Sequence, residues 1–536
     1  MRKITKIAIL ALGFMGVYSC FEDKGNYEYI ELDEVTIDAE LDGIQGTYAL
    51  TKFDSLTIEP NVYFNGELVN GNESKFPLRY EWSIYNSMTG GNTPTEVTVL
   101  GDAIKFNNAI PVGEGQWTLR LVVQNTETLV KAYSLFSLQV SESLSDGILV
   151  YYESKDEPGT SDVGLIINAM VKKNYASTEK CFVDLYKNAN GTHIAGEPIH
   201  IMHSASRSIF GADGGYKEVM MTTTKDFVGV GYASFERQLG VENLFWLVPE
   251  STENAYFTGH PGRGESVIIG NKPYHADYRI IGEEGTFFGV PYEGDYGTLA
   301  MWIPIMVHTN FDVITYDADN QRFLCAPYGS IKLGGFTPDM TQVTNPAEFT
   351  MPFDVNNVGM DMWYSDYGFH NYEYSIMHDN NTDSTWLFIS NFATTNVSSP
   401  YIAVDKIDIN SSPKVDEMTS MSCGGNGEIL FYSAGNKVFL LKYITGRPAT
   451  ELFSFPSNEK VTCVRTHKFY YGSLESSAMM DPHKILHVAT YDETTGDGKV
   501  YMFPIDPTSG AITGDYLEYS GFGKVKDMAW KYGLTI

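Results

Sequence analysis

The chain is short of positive charge, of cysteine and of long apolar runs. Lys and Arg number 37 against 67 Asp and Glu, a net of −30 over 536 residues. Phosphate backbones and anionic bilayers are gripped by clustered cations, so this balance argues against general nucleic-acid binding and against adhesion to bare anionic lipid. Five cysteines occur, at positions 20, 181, 325, 423 and 463, and no two form a CxxC pair. That spacing disfavours zinc or iron–sulfur sites of the Cys type; buried free thiols are the expectation for Cys181, Cys325, Cys423 and Cys463. No stretch reaches the roughly 20 apolar residues of a membrane-spanning helix. GxSxG, HExxH and P-loop spacings are missing, which removes the commonest hydrolase and nucleotide signatures. Long amphipathic helical patterns are missing as well.

What the chain has is β-forming and turn-forming chemistry: Gly 50, Tyr 35 and Phe 30, within 43% hydrophobic residues. Aromatic residues suit pleated, half-buried surfaces, and glycine suits the turns between them. The first residues differ. Arg2, Lys3 and Lys6 precede an apolar run from Ile7 to Tyr18, the shape of a signal peptide over 1–19. The run ends Val17-Tyr18-Ser19-Cys20, which resembles a bacterial lipobox, with Tyr18 bulkier than usual at its place. The resemblance implies cleavage before Cys20 and lipidation of its thiol. Multiple acyl chains on one residue suffice for stable anchoring. Phe21-Glu22-Asp23 then resembles the surface-export signal of outer-membrane lipoproteins, so 20–27 reads as a lipidated linker.

Residues 28–142 read as one all-β unit. In Leu78-Arg79-Tyr80-Glu81-Trp82-Ser83-Ile84, period two places Leu78, Tyr80, Trp82 and Ile84 on one face and Arg79, Glu81 and Ser83 on the other. A Trp in a central strand predicts an immunoglobulin-like sandwich, and without a flanking cysteine pair the segment resembles a PKD-type domain rather than an antibody-type one. Residues 143–536 read as hairpin after hairpin around polar turns: 312–326, 428–443 and 484–503 are the clearest. Repeated hairpins without helices over about 390 residues predict a β-propeller, with seven blades of about 56 residues favoured and six or eight open. Lys524-Val525-Lys526-Asp527-Met528-Ala529-Trp530 resembles the strand that opens a blade, and Gly147-Ile148-Leu149-Val150-Tyr151-Tyr152 resembles the second strand. The two chain ends are therefore expected to complete one blade together.

The run from Cys20 to Tyr27, the sandwich with Tyr80-Glu81-Trp82 and the propeller-like remainder are together similar to the PKD-like family of outer-membrane lipoproteins. The resemblance implies a surface-exposed accessory protein beside a SusC/SusD-like, TonB-dependent importer, binding glycan or peptide nutrient. It implies importer components as partners, contact with the membrane through the lipid anchor alone, and no catalytic residue or cofactor. A non-catalytic scaffold of the same complex and a propeller-based glycan hydrolase or lyase are the alternatives.

One stretch stands out for ligand binding. Between Asp361 and Ser375, six of fifteen residues are Phe, Trp or Tyr, against 13% over the chain. Trp363, Tyr364, Tyr367, Phe369, Tyr372 and Tyr374, with Asp366, form the candidate site. Exposed aromatic faces stack on sugar rings or hold peptide side chains. The competing reading is a thick propeller core with an aromatic subunit interface. Tyr274, His275, Asp277, Tyr278 and Arg279, with Tyr292, Tyr296 and Trp302, form a weaker candidate, or else packing beneath a long loop. His200 and His203 fall on opposite faces of a strand and would not share a metal. Asp317, Asp319 and Asn320 lack the remaining calcium-loop positions and read as a hairpin turn.

Overall fold

The computed structural model describes residues 33–531 apart from 42, 53, 87–96, 142–143, 145, 173, 177, 205–217, 261–263, 278–286, 303–310, 328, 338–350, 393–401 and 469–480. Cys20 and its flanking signals, and Tyr278 and Arg279, lie outside the described residues, as do the side chains of Asp277 and Trp302.

The N-terminal unit is a β-sandwich. A five-stranded sheet runs Thr47–Thr51, Lys131–Ser141, Gly115–Asn125, Leu78–Asn86, Thr98–Gly101 in spatial order. It packs on a three-stranded and a two-stranded sheet, which contribute Val35, Val62, Leu56 and Phe106 to one shared core. The alternation predicted for Leu78–Ile84 is what the packing uses. Trp82 is fully buried, stacked on Phe136 at 5.8 Å and tilted against Phe106 at 5.1 Å. Its indole N–H donates to the Ala103 carbonyl at 2.9 Å, which satisfies the ring's one polar atom.

Seven further sheets, numbered here as blades in chain order, make a β-propeller among the described residues. The innermost strands of blades 2 to 7 are Pro198–Ser204, Tyr256–His260, Leu299–Trp302, Asp361–Tyr367, Ser420–Cys423 and Glu459–Thr466. Blade 1 takes its innermost strand, Lys524–Lys531, from the other end of the chain. That strand pairs antiparallel with Gly147–Glu153, setting Ile148 opposite Trp530 and Leu149 opposite Ala529. Closure removes the open edges that a linear array of sheets would leave. Turn chemistry fixes the local hairpins. At Ala434–Lys437 a two-residue loop needs a left-handed first position, and Gly435 supplies it at φ 60°.

A recurrent irregularity positions the site. The inner strands of blades 1, 2, 4, 5 and 7 each hold one residue more than the strand they pair with: at Lys526, Ile199, Trp363 and Thr462 in blades 1, 2, 5 and 7, and between Leu299 and Trp302 in blade 4. A β-bulge breaks strict in–out alternation, so adjacent residues can share one face. The extra residues of blades 1, 2, 5 and 7 line the central cavity.

Three of the four described cysteines are buried and free, but Cys181 is exposed, against the expectation of a buried thiol. It sits on Lys180–Phe182, the outermost strand of blade 1, which has a neighbouring strand on one side only.

Candidate functional site

The inner strands enclose a cavity of about 450 Å³ in the middle of the propeller. Its wall brings together Trp363 and Tyr364 from blade 5, Tyr256 from blade 3, His200 from blade 2, Arg465 from blade 7 and Lys526 from blade 1. Trp363 lies flat on His378, ring centroids 4.2 Å apart at 15°, which fixes the indole plane. Tyr364 donates its hydroxyl to the Met418 carbonyl at 2.9 Å, so the ring is held from blade 6.

The remaining candidate residues separate. Asp366 is buried, although it belongs to the cavity lining. Its Oδ2 accepts Lys468 Nζ at 2.6 Å, the Cys423 amide at 2.8 Å and the Ser422 hydroxyl at 3.1 Å. Lys468 also donates to the Tyr367 carbonyl and lies 4.3 Å from the Tyr367 ring centre, so Tyr367 belongs to this buried brace. Tyr374 is buried too; it donates to the Phe369 carbonyl at 3.0 Å and accepts the Tyr443 hydroxyl at 2.9 Å. Phe369 and Tyr372 are half-buried around exposed His370, on the turn leading out of the inner strand. The aromatic stretch is therefore part core and part cavity wall. Glu373, next to it, is buried with Ser365 donating to it. Burial pushes its carboxyl well above the ordinary range; the Ser365 bond opposes this and the charge of Asp366 adds to it.

A cluster that sequence reasoning missed lies across the cavity. Asp527, on the closing strand, is almost wholly buried. Its Oδ2 meets His200 Nδ1 at 2.5 Å and the Ile201 amide at 3.2 Å; its Oδ1 accepts Arg465 Nε at 2.8 Å and the Met528 amide at 2.9 Å. Burial would raise this carboxyl, but the charges of Arg465 and His200 and the Ile201 amide outweigh it and hold it far below the usual range. A carboxylate on Nδ1 sets the imidazole tautomer and leaves Nε2 for the cavity that His200 lines. Nothing local could have shown this: Asp527 and His200 are 327 positions apart.

Other candidates resolve into structural contacts. His203 is buried, whereas His200 lines the cavity. Asp317 accepts Asn320 Nδ2 at 2.8 Å and Arg322 Nε at 3.3 Å, and Asp319 accepts the Thr298 amide at 2.8 Å, as a hairpin turn requires. Tyr274 and Tyr292 are buried, with Tyr274 edge-on to Phe245 at 5.1 Å; His275 Nδ1 meets the Ser266 hydroxyl at 2.8 Å, and Tyr296 bonds the Tyr292 carbonyl at 3.3 Å. Asp162, Asp184 and His193 place ligand atoms within 4.8 Å of one another. Protein partners already take those atoms: His193 meets Asp162 at 2.7 Å and Ser154 at 3.0 Å, and Asp184 accepts the Tyr152 hydroxyl at 2.9 Å. The group braces blade 1.

Over the described residues these features define an all-β protein, a PKD-like sandwich followed by a propeller of seven blades with a walled central cavity. The PKD-like family matches residues 20–198, the sandwich and the first strands of blade 1. No curated protein matches the chain. Among solved structures, a quinonprotein alcohol dehydrogenase-like protein from Bacteroides thetaiotaomicron aligns with 90% of this chain and 96% of its own, at 12% identity and a TM-score of 0.40. The β-propeller domain of Swd1 from Myceliophteria thermophila aligns with 73% of this chain and 94% of its own, at 8% identity and a TM-score of 0.36. Similarity this low transfers no activity; the propeller rests on the sheet topology itself.

Proposed function

We propose that the chain is a surface-exposed accessory lipoprotein of a SusC/SusD-like importer, tethered to the outer membrane through Cys20, and that it binds glycan or peptide nutrient in the propeller cavity. The observation that carries this reading is the cavity wall: Trp363 and Tyr364 held rigidly beside hydroxyl, imidazole and cationic groups. Rigid aromatic faces desolvate a ligand ring at low entropic cost, while the polar groups orient it. The lipobox-like Val17-Tyr18-Ser19-Cys20 and a family match that starts at Cys20 support the tether. Glycan and peptide arrays with the full chain and Trp363→Ala test the site: binding that is unchanged in the variant would remove Trp363 from it. Purification of the native complex from outer membranes tests the partner, and recovery without any importer subunit would count against it.

The Asp527–His200 pair favours a second reading, acid–base chemistry on a glycan held in the same cavity. A carboxylate-oriented imidazole facing a ligand cavity is the arrangement of a general base. Turnover of a bound polysaccharide that disappears in His200→Ala while binding persists would favour this reading over simple capture.

A further inference from the structure

The sandwich carries a second concavity, of about 360 Å³, on the outward face of its five-stranded sheet, and it shares no residue with the propeller cavity. Strand register builds it. Arg79, Gln124 and Lys131 form one row across three strands, Arg120 and Leu135 belong to a parallel row, and Tyr133 stands between the rows. In a chain where acids outnumber bases 67 to 37, three cations meet here with one carboxylate, Glu81, 3.9 Å from Arg120. Both guanidinium groups are steered mainly by neutral neighbours. Arg79 Nε donates to Gln124 Oε1 at 2.9 Å; Arg120 donates to the Ser83 hydroxyl at 3.1 Å and lies 5.8 Å from the Tyr85 ring centre. Beside them Tyr133 and Leu135 are 69% and 51% exposed, a flat apolar ledge open to solvent.

We propose that this face is a binding site for an acidic polysaccharide, with carboxylates on Arg79 and Arg120 and the face of a sugar ring on Tyr133. The guanidinium fork matches a carboxylate in two parallel hydrogen bonds, and an exposed aromatic ring supplies the stacking surface that a sugar needs. The site acts independently of the propeller cavity.

The test is affinity electrophoresis and calorimetry of the full chain with polygalacturonate, neutral dextran and poly-L-glutamate. The expected result is binding of polygalacturonate that weakens with added salt, no retardation by dextran, and a tenfold or greater loss in the Arg79→Gln/Arg120→Gln double variant and in Tyr133→Ala. Lys105→Gln, an exposed cation of the same sandwich that lies outside the concavity, binds polygalacturonate like the parent chain. Unaltered melting temperatures show that the variants fold; where the double variant melts early, Lys131→Gln replaces it. Equal retardation by dextran, or undiminished polygalacturonate binding in the folded variants, overturns the proposal. Poly-L-glutamate binding as tight as polygalacturonate, with no effect of Tyr133→Ala, overturns it in favour of an acidic protein segment.

Discussion

Asp527 holds His200 at 2.5 Å from across the ring closure, 327 residues away in sequence. The same carboxylate takes Arg465 from blade 7, so one buried side chain ties together blades 7, 1 and 2. Removing it takes a carboxylate away from a half-buried guanidinium, and breaking such a pair is far costlier than never building one. Asp527→Ala is expected to lose about 3 kcal/mol of stability. Denaturant unfolding measures this; an unchanged midpoint would contradict the role given to Asp527.

The closing strand also carries the ring's integrity. A chain ending at Gly523 lacks the partner of Gly147–Glu153 and exposes Ile148, Val150 and Tyr152 along an open edge. Such a chain is expected to aggregate and to be cleaved rapidly by protease in the first blade. Limited proteolysis followed by mass spectrometry decides, and protease resistance equal to the full chain would refute ring closure by this strand.

Acid should destabilise blade 7. Burial pushes His487 down to about 3; burial, and then the charge of Lys468, pushes His483 down to about 4. In the unfolded chain both protonate near pH 6.5, whereas the folded chain holds them neutral, so stability falls as pH drops from 6.5 towards 4. His487→Gln should flatten that slope by about one proton. Denaturant midpoints between pH 4 and 7 provide the check, and superimposable slopes would exclude His487 as a contributor.

Lys531 acts in the opposite pH range. Burial pushes its ammonium down to about 7, against an opposing pull from Asp146. Between pH 7 and 10.5 the unfolded chain holds a proton that the folded chain does not, so stability rises with pH across that window. Lys531→Met is expected to abolish the rise, because the group that holds the extra proton in the unfolded chain is gone. Melting curves of the two chains at pH 6 and pH 10 that differ by the same amount would sink this account.

The sandwich face and the hairpins were legible because they depend on neighbours in sequence. Alternation from Leu78 to Ile84 assigned Trp82 to the core and Arg79 to solvent, and polar turns marked 312–326, 428–443 and 484–503 as paired strands. The similarity of 524–530 to an opening strand anticipated the closure. The aromatic run from Trp363 to Tyr374 was legible as a candidate site, but not how its residues divide between cavity wall and core. A bulge at Trp363 interrupts the alternation from which facing is read. Asp366 is neutralised by Lys468, 102 residues later, and Tyr374 is claimed by Tyr443.

Local periodicity and turn chemistry alone determined that the described chain is built mainly of β-strands, that a sandwich precedes a hairpin array, and which residues alternate inward, because those properties act over a few residues. Ring closure decided the rest. It set Trp363, Tyr364, Tyr256, His200 and Arg465 around one cavity, buried Asp527 behind them and sent Tyr374 into the core. Side chains from six blades meet there only after every hairpin has packed on its neighbours.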